Sequence, residues 1–174
     1  NSKGRDLITI EELEYLSENF LIEIIPNFHA EVIKLCSGQF GPFRPNRIVK
    51  IPLWLAVKYR NNKKCKIIIP ATYSSSYLNN VLDKEKKNPN ILFDLRDNFF
   101  EIANILFNNA EEDFDDVKQI KCLVADIRAI RKTKIDKMLK EIPTDEMDLS
   151  LNGVTSIELE SIRPFLKNIF PMRM

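Results

Sequence analysis

Histidine occurs once in the chain, at His29, and a lone imidazole excludes every site that needs two. Cysteine occurs three times, at Cys36, Cys65 and Cys122, widely spaced and in no CxxC pair. A structural zinc needs four clustered ligands, which one histidine and three scattered thiols do not supply at motif spacing. Three unpaired thiols fit a reducing compartment, cytosol or nucleus, better than a disulfide framework. Glycine is scarce, at four residues, and neither GxxxxGK[ST] nor GxGxxG occurs, so both common phosphate cradles are missing. No nucleophile has a recognisable base partner, so no catalytic residue, metal ligand or cofactor is expected, and an enzyme is the least favoured class. Charge of one sign is missing too. Lys and Arg number 26 against 25 for Asp and Glu, leaving no overall field to gather nucleic acid or acidic lipid. No apolar run approaches the roughly 20 residues that span a bilayer, and the opening Asn1 to Asp6 carries no apolar h-region. We therefore expect neither a membrane partner nor a secretory leader.

What is present is globular. Hydrophobic residues make up 44% and charged residues 29% of 174, enough for one ordinary domain or two small ones. Thr9-Ile10-Glu11-Glu12 is a capping box, opening a short helix with Leu13, Leu16 and Phe20 on one stripe. Phe20 to Ile25 reads as a strand stopped by Pro26-Asn27, and Ala30 to Cys36 as a second. The segment Ser37 to Asn46, with two glycines and two prolines, reads as a rigid loop that carries Phe40 and Phe43. Ile51 to Arg60 reads as a helix with Pro52 in its first turn, where a missing N–H costs nothing. Lys66 to Ile69 is a strand ending at Pro70, and His29 reads as a turn or surface residue.

The polar stretch 71–76 reads as a hinge, and beyond it the hydrophobic period changes to 3.6. Tyr77 to Lys87 is a charged helix. Phe99, Ile102, Ala103, Leu106, Phe107 and Ala110 then follow helical spacing with a wide apolar face. Asp113 and Asp116 can cap a long helix running to about Ile142, with apolar positions from Val117 to Met138. Lysines and arginines gather at its end, complementing the macrodipole. The acidic residues between Glu111 and Asp116 carry oxygens suited to Mg²⁺, but capping is the favoured reading. Thr155-x-x-Glu158 is a second capping box before Ile162, Phe165, Leu166, Ile169 and Phe170. Pro164 inside that pattern should kink or restart the helix. The chain thus reads as α+β: residues 1–70 a small N-terminal β-rich domain, 71–76 a hinge, and 77–174 a larger C-terminal all-α domain.

Two kinds of surface are candidates for function. Phe40 and Phe43, held on a Gly/Pro loop in a module too small to bury everything, are candidate protein-partner contacts. Trp54 reads as core. Lys58, Arg60, Lys63 and Lys64, with Lys66 behind them, form one basic cluster, and Arg128 to Lys140 holds another. A nucleic-acid-binding module acting through 58–66 or 128–140 is the competing hypothesis.

The same residues carry a resemblance. Glu23-Ile24-Ile25-Pro26-Asn27-Phe28, Gly41-Pro42-Phe43-Arg44-Pro45 and Ile51-Pro52-Leu53-Trp54-Leu55-Ala56 resemble the N-terminal half of the GINS complex subunit two family. Glu101-Ile102-Ala103 and Ile120-Lys121-x-Leu123-Val124-x-Asp126-Ile127-x-x-x-Arg131-x-x-Lys134-Ile135 resemble its central helices. The likeness runs from about Glu11 to Phe170, with departures at Ile48, Lys121, Pro164 and the stretch Ile69 to Tyr73. It implies a non-catalytic subunit of a nuclear heterotetramer with three sister subunits. That assembly joins the MCM ring and a RecJ-like co-activator in the replicative helicase, with at most weak or indirect DNA contact. It also implies that Ile120, Leu123, Val124, Ile127 and Arg131 on the long helix, with Phe165 and Ile169 near the end, face sister subunits.

Overall fold

The computed structural model describes Tyr15, residues 17–140 and residues 153–169, with side chains through Pro164. The Thr9 capping box, Leu13, Leu16, Phe170 and the side chains of Phe165 and Ile169 lie outside the described residues.

Strand β1 (Leu21–Pro26) buries every second residue, Ile22, Ile24 and Pro26, because successive side chains of a strand point to opposite faces. It is the centre of a three-stranded antiparallel sheet between β4 (Val49–Pro52) and β5 (Cys65–Ile67). Ile22 faces Ile51 across the ladder, and Ile24 lies between Val49 and Ile67. The short strands β2 (Ile33–Leu35) and β3 (Gly38–Phe40) form a separate hairpin. The segment expected as loop therefore holds a strand, and Ala30 bridges back to Phe43 beyond it. Gly41 has a backbone φ of +113°, and a Cβ there would sit 3.2 Å from the Phe43 ring. Only glycine fits that approach.

Helix α1 (Leu53–Asn61) follows β4 without a loop, with Pro52 as the residue before its first turn. The expected helix from Ile51 thus starts two residues later. Its first N–H, on Leu53, donates to the Phe20 carbonyl at 2.8 Å. Residues Ala71–Tyr73 form one 3-10 turn. The Ser74 hydroxyl then accepts from the Tyr77 N–H and caps α2 (Ser75–Lys87). Next come α3 (Phe99–Asn109), α4 (Val117–Lys140) and α5 (Ser156–Ile169), the last running through Pro164. Asp116 caps α4 by accepting from Gln119 N–H at 3.1 Å.

The architecture is α+β, two small sheets followed by a larger helical part. One core joins them, with Ile22, Ile24, Phe43, Leu53 and Ile67 continuous with Leu78, Phe100, Leu106 and Ile127. At the expected hinge Tyr73 is buried, its ring stacked on Phe99 and its hydroxyl donating to the Phe99 carbonyl at 2.9 Å. Burial raises the Tyr73 pKa above that of an ordinary phenol. A second cluster of Leu92, Ile135, Leu139 and Ile162 closes the far end of α4.

Candidate functional site

Helix α4 presents Arg131 on the same stripe as Ile127 and Ile135, and its guanidinium is completely buried. Desolvation pulls its pKa down, yet hydrogen bonds and the charges of Glu158 and Glu85 outweigh it and hold the group above its ordinary value. Nε and Nη2 fork onto the two oxygens of Glu158 at 2.7 Å each. Nη1 donates to Glu85 Oε1 at 2.8 Å and to the Phe93 carbonyl at 2.7 Å. Nη2 also donates to the Gly153 carbonyl at 2.6 Å. Lys134, one turn on, donates to the other oxygen of Glu85 and to the Ile91 carbonyl. Two buried cations meet two buried carboxylates, which is what allows charge to sit there at all.

The capping box at Thr155 completes this clasp. Glu158 accepts from both the N–H and the hydroxyl of Thr155 at 2.9 Å. Gly153 has a φ of +80°, and a Cβ on it would come within 2.9 Å of the Leu92 carbonyl. The clasp therefore ties α2, the connection after it, α4 and the start of α5 into one unit.

A second cluster joins the small sheet to the helices. Arg60 donates to Asp113 at 2.8 Å and to Glu112 at 2.9 Å, and these hydrogen bonds raise its pKa. Asp113 also accepts the backbone N–H of Ile67 at 3.0 Å. Asp113 was expected to cap α4; it instead satisfies the edge of β5. Arg60 was expected to offer charge to nucleic acid; its guanidinium is engaged inside the chain.

The other expected contact residues divide sharply. Phe43 is wholly buried in an aromatic cluster, stacked 5.4 Å from Phe28 and edge-on to Tyr59 at 5.7 Å. It turns no ring face outward, because the bridge to Ala30 folds its loop onto the sheet. Phe40 is half-buried. Ile120, Leu123, Val124 and Ile127 are all buried within this chain, and so is Arg131. One cause is that α2 packs along α4 and covers part of that stripe. Trp54, expected in the core, is partly buried against it. Lys58, Lys63 and Lys64 are exposed, with Lys64 Nζ over the Phe28 ring at 5.9 Å. Of the second basic cluster, Arg131 and Lys134 are buried while Arg128, Lys132 and Lys140 are exposed. His29 is exposed. Cys65 is buried, its thiol pushed up to about 11 by desolvation, and Cys36 and Cys122 are free and exposed. Among the described residues no three His, Cys, Asp or Glu side chains are placed to hold a metal ion.

Residues 9–68 match the family model described as the PSF2 N-terminal domain, and residues 72–173 match that of the GINS complex protein helical bundle domain. The chain belongs to the PSF2 family of GINS complex proteins. Among its PSF2 relatives, the DNA replication complex GINS protein PSF2 of Debaryomyces hansenii is 33% identical over 159 residues, covering 91% of this chain and 76% of the relative. That of Candida albicans is 33% identical over 156 residues, covering 89% and 76%. The human GINS protein PSF2 is 30% identical over 159 residues, covering 89% and 84%.

On the outside of the α2–α4 pair lies a mostly apolar furrow of about 430 Å³, bordered by Pro89, Ala129, Ile130 and Thr133 and by the stems of Lys86 and Lys137. Sequence reasoning missed Glu85 and the furrow. Glu85 had a signal, because Leu78, Val81, Leu82 and Glu85 share one helical stripe. A charge at an apolar position marks a buried partner.

Proposed function

We propose that the chain is a non-catalytic subunit of the GINS heterotetramer, built with three sister subunits and working in the nucleus. There the assembly joins the MCM ring and a RecJ-like co-activator to form the active helicase of DNA replication, in initiation and elongation. The observation carrying this reading is the match of both halves, in order, to the two GINS domain models. The geometry is in keeping with it. The strongest buried charges are spent on holding helices together, and a chain that presents surfaces needs rigid ones. The furrow at Ala129 and Ile130 is our candidate seat for a sister subunit. The buried residues of α4, from Ile120 to Arg131, act behind it by fixing the helix.

Co-expression with the three sister subunits tests both parts. The expected result is a single monodisperse species with the mass of one copy of each. Ala129→Glu should weaken assembly at least about tenfold while the isolated chain keeps its far-ultraviolet circular dichroism. A chain that stays monomeric beside soluble sister subunits overturns the assignment; normal assembly of Ala129→Glu overturns only the furrow. The nucleic-acid reading has lost Arg60, Arg131 and Lys134 to internal pairs. Its remaining form is a weak contact through Lys58, Lys63 and Lys64.

A further inference from the structure

The small sheets leave a basic groove that neither the clasp nor the furrow uses. Among the described residues, strands β3 and β4 each have one ladder partner, β1 for β4 and β2 for β3, and the two lie near each other without sharing a ladder. Both strands line a groove of about 530 Å³, together with Pro42, Arg44, Arg47 and Ile48. Among the described residues no acidic side chain lines it. Arg44 and Arg47 are exposed and, among the described residues, neither has an ion-pair or side-chain hydrogen-bond partner. Lys50, also on the lining, pairs with the half-buried Glu23 at 3.4 Å. Ile48, 59% exposed, and the half-buried Phe40 supply apolar surface between these charges.

We propose that this groove binds an extended acidic peptide segment of a partner protein. Its carboxylates would meet the guanidiniums of Arg44 and Arg47, and its apolar residues would lie against Ile48 and Phe40. Guanidinium is suited to this because its planar fork matches a carboxylate two-to-two. Backbone groups of β3 and β4 that no ladder uses can add to the grip on a peptide backbone. A nucleic acid fits less well. Three cations fall short of the six to ten phosphate contacts typical of such binding.

The test is fluorescence anisotropy with the full chain and three labelled probes at low salt. The first is a twelve-residue peptide alternating glutamate and valine, the second replaces each glutamate by lysine, and the third is a twenty-nucleotide oligothymidylate. The glutamate peptide should bind and the lysine peptide should not. Arg44→Glu with Arg47→Glu should weaken the glutamate peptide at least about tenfold, with an unchanged melting temperature because both side chains are exposed. Lys132→Glu with Lys140→Glu, exposed on α4, should leave it unchanged. Equal loss with either pair means a general attraction of anions and overturns the groove. Unchanged binding in the Arg44/Arg47 variant overturns it too. Oligothymidylate binding as tightly as the peptide, and lost in the same variant, overturns the peptide in favour of nucleic acid.

Discussion

Arg131 shows why a residue's chemistry has to be judged where it is buried. On a surface, an arginine near a helix end interacts with the dipole and little else. Among the described residues it is the only group that reaches Glu85, Glu158 and two backbone carbonyls at once. Arg131→Met leaves Glu85 with Lys134 alone and Glu158 with no buried cation. Removing one partner of a buried pair strands the other, and the expected loss is about 3–5 kcal/mol, read as a lower denaturant midpoint with unchanged slope. Lysine should not rescue it, since an ammonium cannot fork across both carboxylates. Glu101 on α3 is the opposite case. Its two oxygens are buried with no hydrogen-bond partner among the other described residues, and desolvation raises its pKa above the ordinary glutamate value despite the opposing pull of its own backbone N–H and the Arg128 charge. A raised folded pKa means that the proton favours the native state. That contribution is complete below the unfolded glutamate pKa and is lost as pH rises through the folded one. Glu101→Gln, which cannot ionise, should therefore be more stable than the parent by about 1 kcal/mol at pH 8. The advantage should vanish near pH 4, and melting curves of the two proteins across that range check it. An advantage that grows toward acid would contradict the sign.

Elements are tied together by a few polar groups that look ordinary in sequence. Asp113 satisfies the Ile67 N–H on β5 and holds Arg60 of α1. Asp113→Ala leaves a buried N–H unpaired, at a cost of about 1–3 kcal/mol. Hydrogen exchange should show faster exchange at Ile67 and along α1, while the clasp around Arg131 keeps its protection. Uniform acceleration through α4 would mean that the aspartate acts elsewhere. Its role was not legible in the sequence, because an acidic residue before a helix reads as a cap, and Asp116 does act as one. The long helices were legible from apolar spacing at 3.6 residues, and β1 from β-branched residues running up to a proline. β3 and β4 were not. Three or four residues are too few to establish a period of two, and β4 runs straight into a helix signal. The burial of the expected partner-facing residues within this chain was not legible for a related reason. A wide apolar stripe says that a helix is covered, not by what, and here α2 covers α4 from within the same chain. The groove around Arg44 and Arg47 was invisible, since it depends on two strands that the sequence did not reveal.

At the scale of the whole molecule the question is whether the sheet part and the helical part behave as one body. Sequence alone suggested a hinge and domain boundary at 71–76, and left open how the two parts pack. The structure runs one hydrophobic core through both, with Tyr73 buried against Phe99 and the Arg60–Asp113 pair as a further tie between them. A rigid relation matters for an assembly subunit, because a partner that grips both parts then loses little orientational freedom on binding. The chain holds a single tryptophan, Trp54 on α1 in the small part, while most of the described helix lies beyond residue 74. Tryptophan fluorescence therefore reports on the first part, and circular dichroism at 222 nm chiefly on the second. If the shared core makes one cooperative unit, the two melting curves should superimpose with a single midpoint, the test of two-state behaviour for a small protein. Asp113→Ala should pull them apart, with the fluorescence midpoint falling first. Separate transitions in the parent would mean that the interface between the parts is weaker than their own cores, and that the hinge reading was right.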